Sequence, residues 1–171
     1  MKKLLIVLAI LVTGGVAQAQ YSEYKMVSLF IYNFARNIHW PEAQSQTGNF
    51  EIGVWGDSQF YDEAVTYMKG KKIGSQDIVV KRINDVKKIN ECNLLFISPD
   101  RIQDLNKLSA ASATSQVLLI TLQGGTAPNN PGINLFVDNQ DHKMKFELKK
   151  TALNTKNLKV SKNLEDLAYH Q

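Results

Sequence analysis

Chemistry in a chain of this size would fall to histidines, cysteines, paired carboxylates and glycine-rich turns, and here these are few and scattered. The 171 residues include three histidines and one cysteine. His39, His142 and His170 fall at a helix end, in a turn and in the C-terminal tail, without the spacing that brings imidazoles together on an ion. Asp62-Glu63 and Glu165-Asp166 are neighbours in helical segments, so their side chains diverge around the axis and read as solvated faces. "GVWGDS", Gly53 to Ser58, has two glycines where a pyrophosphate turn needs three spaced G-x-G-x-x-G, and it reads as a turn with a helix cap. "KGKKIG" resembles a phosphate loop only superficially: Lys71 is followed by Lys72, and no glycine stands where the loop would begin. Ser98 follows a strand, but Pro99 and Asp100 make it a helix cap, and the G-x-S-x-G elbow is absent. No cofactor, metal or catalytic residue is expected, and the chain reads as a non-enzyme.

The elements that would position such residues begin after a distinct leader. "MKKLLIVLAILVTGGVAQAQ" has two lysines, an apolar run from Leu4 to Val12, a glycine break and the small-x-small pattern Ala17-Gln18-Ala19. It is expected to be a signal peptide, residues 1–19, cleaved after Ala19, with residues 20–171 forming one exported domain. The apolar run is too short to span a bilayer. Without Lys2 and Lys3 the 20 basic residues become 18 against 16 acidic, so the net charge falls from +4 to +2. No basic block interleaves with aromatics, so nucleic acid is not an expected partner. No second apolar segment reaches spanning length, and the exported body is expected to be soluble. Cys92, just ahead of the apolar "NLLFIS", is expected in the core. As the only cysteine it leaves no disulfide within the chain, so packing alone must hold the fold.

From Tyr24 the apolar positions Val27, Ile31, Phe34 and Ile38 step by three and four, a helical stripe that Leu29, Phe30 and Tyr32 widen. Pro41 disfavours helical geometry at Trp40 and ends that helix. "FEIGVWG", "DIVVKRI", "NLLFIS" and "QVLLITL" read as strands separated by helical pieces. "QGGTAPNNPG", Gln123 to Gly132, is the most loop-like stretch. "INLFVDNQDHKMKFELK" reads as a hairpin turning at Asn139 to His142, and short helices near Lys149–Lys156 and after Ser161 close the chain. Alternating strands and helices predict a single three-layer α/β domain: a mostly parallel central sheet, helices on both faces, and the C-terminal hairpin as an antiparallel edge.

In order and spacing these segments resemble the YfiR family of small periplasmic regulators over Tyr21 to Ala168. The pieces that carry the likeness are "YKMVSLFIYNFARNIHWPE", closing on an aromatic-proline corner; "FEIGVWGDSQFYDEA" with "GKKIGSQDIVVKRI"; the Cys-led "ECNLLFIS"; and the closing segment from "VLLIT" through "GINLFVDNQDHKMKFELKKTALNTKNLKVSKNLEDLA". The resemblance implies a periplasmic protein that binds the periplasmic part of an inner-membrane diguanylate cyclase and keeps it off, limiting cyclic di-GMP and biofilm growth. It also implies possible homodimers and capture by an outer-membrane lipoprotein. Redox-linked members carry cysteine pairs, which this chain lacks.

Candidate partner-binding residues are Trp40 and Pro41 at the corner, and Gly124, Gly125, Asn129 and Asn130 in the loop. Trp40 is either a core plug or an exposed anchor, and the loop is either adaptable contact surface or plain connection. Two alternative functions remain open: a sensory partner of a membrane histidine kinase, and a periplasmic small-ligand binder. The latter would need a pocket at the carboxyl ends of the parallel strands near Trp55, Asp57, Ser98 and Arg101, whereas an apolar surface patch would favour the regulator.

Overall fold

The spacing of apolar residues in the first described helix, α1 (residues 23–37), puts Tyr24, Val27, Ile31, Phe34 and Ala35 on one buried stripe. In the computed structural model, which describes residues 23–41, 48–124 and 131–169, that stripe lies on a seven-stranded sheet. The expected signal peptide and most of the Gln123–Gly132 loop lie outside the described residues.

The chain runs from β1 (Ile38–His39) through β2 (Phe50–Trp55) and α2 (Ser58–Met68) to β3 (Lys72–Ile73) and β4 (Gln76–Arg82). A 3-10 segment, Val86–Glu91, leads to β5 (Leu94–Ile97), and a second, Pro99–Asp104, leads into α3 (Leu105–Ala111). Then follow β6 (Leu118–Leu122), β7 (Ile133–Val137), β8 (Met144–Leu148), α4 (Lys150–Thr155), β9 (Lys159–Val160) and α5 (Lys162–Leu167). The large sheet has the order β3-β4-β2-β5-β6-β7-β8. The five central strands are parallel, while β3 and β8 pair antiparallel with β4 and β7. This is a mixed, mostly parallel α/β domain, as the alternation of segments predicts.

Strand periodicity divides the core in two. In β5, Leu94 and Phe96 join one apolar cluster with α1 and α2, whereas Leu95 and Ile97 join the other with Ile89, Leu105 and Leu108. All four side chains are buried, which explains why the strand reads as an unbroken apolar run. Gly53 on β2 makes room in the second cluster: a Cβ there would stand 2.8 Å from Cys92 Sγ and 2.7 Å from Leu95 Cδ1.

The end of α1 answers how Trp40-Pro41 works. The helix stops at residue 37, and Ile38–His39 pairs antiparallel with Lys159–Val160, a small sheet too short to leave a periodic trace in the sequence. Trp40 is buried, its ring edge-on to Phe50 at 4.9 Å. Its indole N–H donates to the Ala35 carbonyl at 2.8 Å, satisfying an acceptor that the helix end leaves open.

Candidate functional site

Adjacent strands β2 and β5 send the chain to opposite faces. After β2 it enters α2, whose Phe60, Ala64 and Met68 belong to the α1 cluster; after β5 it enters the 3-10 segment and α3, whose Leu105 and Leu108 belong to the other. Such a reversal opens a crevice at the carboxyl ends of the strands. Here it is a cleft of about 700 Å³ lined by Trp55, Gly56, Asp57, Arg82, Asn84 and Arg101, among others.

The two loops flanking the cleft are clasped by Ser98. The sequence predicts Ser98 as the cap of the following helix, but its side chain makes no capping bond, and the segment it precedes is 3-10 as far as Asp104. The hydroxyl instead accepts from the Asp57 backbone N–H at 2.9 Å, and its own proton faces the Trp55 carbonyl at 3.0 Å and Asp100 Oδ1 at 2.5 Å. The approach is so close that a Cβ on Gly56 would lie 1.9 Å from Ser98 Oγ, and Gly56 itself sits at φ +117°, where side chains are strained.

Asp57 is fully occupied by structural duties. One carboxylate oxygen caps α2 by accepting from the backbone N–H groups of Gln59 at 2.6 Å and Phe60 at 3.1 Å. The other accepts from the Tyr24 hydroxyl, tying the start of α1 to the cleft rim. Trp55 is likewise anchored, its indole N–H donating to Asp104 Oδ2 at 2.8 Å. Arg82 pairs with Asp62 at 3.2 Å and lies over the Tyr61 ring, whereas Arg101 makes no ion pair among the described residues. The one hydroxyl–carboxylate contact at the cleft, Ser98 with Asp100 Oδ1, has a buried hydroxyl and acts as a clasp, while Asp57 acts as cap and tie.

A second surface lies where the other side of α1 meets the turn between β7 and β8. Glu23, Met26, Phe30, Val137 and Met144 line a shallow groove of about 540 Å³. Met26 is 44 % exposed and Val137 42 %, and Leu29 on the same helix is also exposed. The turn is stiffened by Lys145, whose ammonium lies 2.7 Å from Asp138 and 3.3 Å from Asp141 and holds the Asp138 carboxyl below its ordinary value.

A family model described as YfiR/HmsC-like matches residues 24–169. The chain belongs to the YfiR/HmsC-like family. No curated protein matches it. The match spans the whole cleft and all of the groove's lining but Glu23, so cleft and groove are parts of the YfiR/HmsC-like domain itself.

Of the partner-binding residues expected from sequence, Trp40 is placed in the core, Pro41 is half-buried beside it, and Gly124 is exposed at the end of β6. Gly125, Asn129 and Asn130 lie outside the described residues. The structure therefore does not bring these six together among the residues it describes. Sequence reasoning passed over Arg82 and Asn84, which reach the cleft only because β4 pairs with β2. It also read Val137 as part of an alternating strand and passed over Met26; the one available signal was that Met26 falls off the buried stripe of α1.

Proposed function

We propose that this protein is a non-enzymatic periplasmic regulator that binds and represses the periplasmic part of a membrane-anchored diguanylate cyclase, restraining cyclic di-GMP synthesis. Membership of the YfiR/HmsC-like family over residues 24–169 carries this reading. The exposed apolar groove supports it, because contiguous apolar surface with a polar rim is what a protein partner covers. Among the described residues no helix is long and apolar enough to cross a membrane, which suits a partner that supplies the membrane anchor. Repression then works by occupancy: preferential binding to the inactive conformation of the cyclase shifts its population. Export by the N-terminal leader, contact through the Gln123–Gly132 loop and the Trp40-Pro41 corner, and further contacts with a second copy or an outer-membrane lipoprotein belong to the same proposal. Buried Trp40 would contribute by holding the corner in shape.

The test is deletion combined with capture. Removing the gene is expected to raise cyclic di-GMP, and the tagged protein is expected to retain an inner-membrane protein with a periplasmic segment. Val137→Asp, a change at an exposed position, is expected to weaken that capture about tenfold with an unchanged circular dichroism spectrum. Unchanged cyclic di-GMP in the deletion strain would overturn the cyclase reading. A deletion that altered histidine kinase output instead would transfer the same binding role to a sensor kinase.

A further inference from the structure

We infer that the cleft at the β2–β5 reversal is a binding site for a small organic molecule bearing a single carboxylate. This goes beyond partner repression and does not depend on it. Four observations carry it.

The first is place: the cleft lies where an open α/β sheet reverses strand order, and its volume of about 700 Å³ falls within the range of small-molecule sites. A bare inorganic ion would fill a small part of it. The second is close backbone approach. The space a side chain on Gly56 would take is filled by Ser98 Oγ, Arg101 Cγ and Asp100 Oδ1, so the Arg101 stem is packed close against the backbone after β2 at the cleft wall.

The third is which polar groups are committed. Both Asp57 oxygens are engaged by α2 and Tyr24, so the helix N-terminus is already capped and is not itself the site. Asp100 Oδ1 is engaged by Ser98. Among the charged side chains of the lining, the Arg101 guanidinium makes no ion pair among the described residues, and the exposed amide of Asn84 lines the same cleft. Arg101 also breaks the regularity of its 3-10 segment, at φ −121° and ψ 16°. A guanidinium fork matches a carboxylate in two parallel hydrogen bonds.

The fourth is the charge balance. Arg82, Arg101, Asp57 and Asp100 all line the cleft, so its lining is formally neutral. A singly charged anion is accommodated on Arg101, whereas a dianion would feel both aspartates at close range. Val54, Trp55 and Ile83 supply the apolar wall for the organic part of the ligand.

The experiment is a titration of the isotopically labelled protein with benzoate and pyruvate as single carboxylates, glucose 6-phosphate as a dianion and glucose as a neutral control. Nuclear magnetic resonance follows the Trp55 indole and the amides of Gly56, Asp57 and Arg101. A saturable shift of these signals by a carboxylate and not by glucose is expected. Arg101→Ala is expected to weaken binding about tenfold or more, with Arg101→Lys in between, because the lysine keeps charge and loses the fork. The exposed, distant Lys162→Ala serves as a folding control that leaves binding intact. Absence of saturable shifts up to roughly 10 mM for both carboxylates, or equal affinity in Arg101→Ala, would overturn the site. Tighter binding of glucose 6-phosphate than of either carboxylate would overturn the single-charge assignment. None of these outcomes bears on cyclic di-GMP in the deletion strain, so the two proposals fail separately.

Discussion

Cys92 follows the 3-10 segment Val86–Glu91 and packs against Gly53 of β2, 2 % exposed, in the cluster that also holds Leu95 and Ile97. Burial, reinforced by the nearby Glu51 carboxylate, pushes its thiol up to about 12 from an ordinary 9.0. A thiol is the nucleophile only as thiolate, so the folded protein should react with Ellman's reagent at pH 8 far more slowly than the urea-unfolded chain. The shift also sets a pH dependence. Above about pH 9 the unfolded chain ionises at Cys92 while the folded chain does not, so stability present below pH 9 is lost as pH rises toward 12, by roughly 1 kcal/mol per pH unit. Urea unfolding from pH 8 to 10.5 should show a smaller loss for Cys92→Ala than for the native chain; equal losses would mean that the thiol titrates normally. At this scale the sequence was a good guide, since a cysteine leading an apolar strand has few places to go except the core. At Ser98 it placed a helical start correctly, with Pro99 and Asp100 in the first turn, but the segment is 3-10 and the hydroxyl makes no capping bond. Two of the hydroxyl's three partners lie 41 and 43 residues earlier in the chain, beyond any local pattern.

Among the elements, those with a strong period were legible and those fixed by pairing alone were not. α1, β2, β4, β5 and β6 each show the 3.6- or two-residue repeat, or the continuous apolar run, of their environment. β1 and β9 are two residues each, and only their mutual hydrogen bonding makes them strands. The contact between α3 and α4 is of the same kind. Half-buried Lys156 follows α4 and donates to the carbonyls of Ser112 at 2.5 Å and Ser115 at 3.1 Å, just past the end of α3, and its desolvation lowers its pKa. An ammonium at a helix C-terminus satisfies open carbonyls and complements the helix dipole. Lys156→Met should therefore cost about 1–3 kcal/mol in urea unfolding even though it keeps the length of the side chain. A cost near zero would show that the lysine is a bystander.

For the whole molecule, the two apolar clusters share one sheet, so neither can open without exposing alternate residues of β5 and β6. Unfolding is therefore expected to be cooperative. The two tryptophans test this directly, because Trp40 sits in one cluster and Trp55 in the other. Tryptophan fluorescence and far-ultraviolet circular dichroism should give one coincident urea transition, unmoved by reductant, since a lone cysteine leaves no internal crosslink. Two separated transitions would mean that the faces fold independently. α1 is the element common to everything proposed here: its buried stripe covers the sheet, its Tyr24 holds the cleft rim through Asp57, and Met26 and Phe30 line the groove.

By itself the sequence determined the α/β class, the burial of Cys92, the lack of any internal disulfide and the family likeness, because composition, periodicity and segment order are local properties of the chain. Only the tertiary structure decided that Trp40 plugs the core, that Ser98 clasps two loops, and that Arg82 and Asn84 join Arg101 beside Gly56. Those outcomes depend on which strands become neighbours. Strand order is fixed by the packing of both faces at once, and no single segment encodes it.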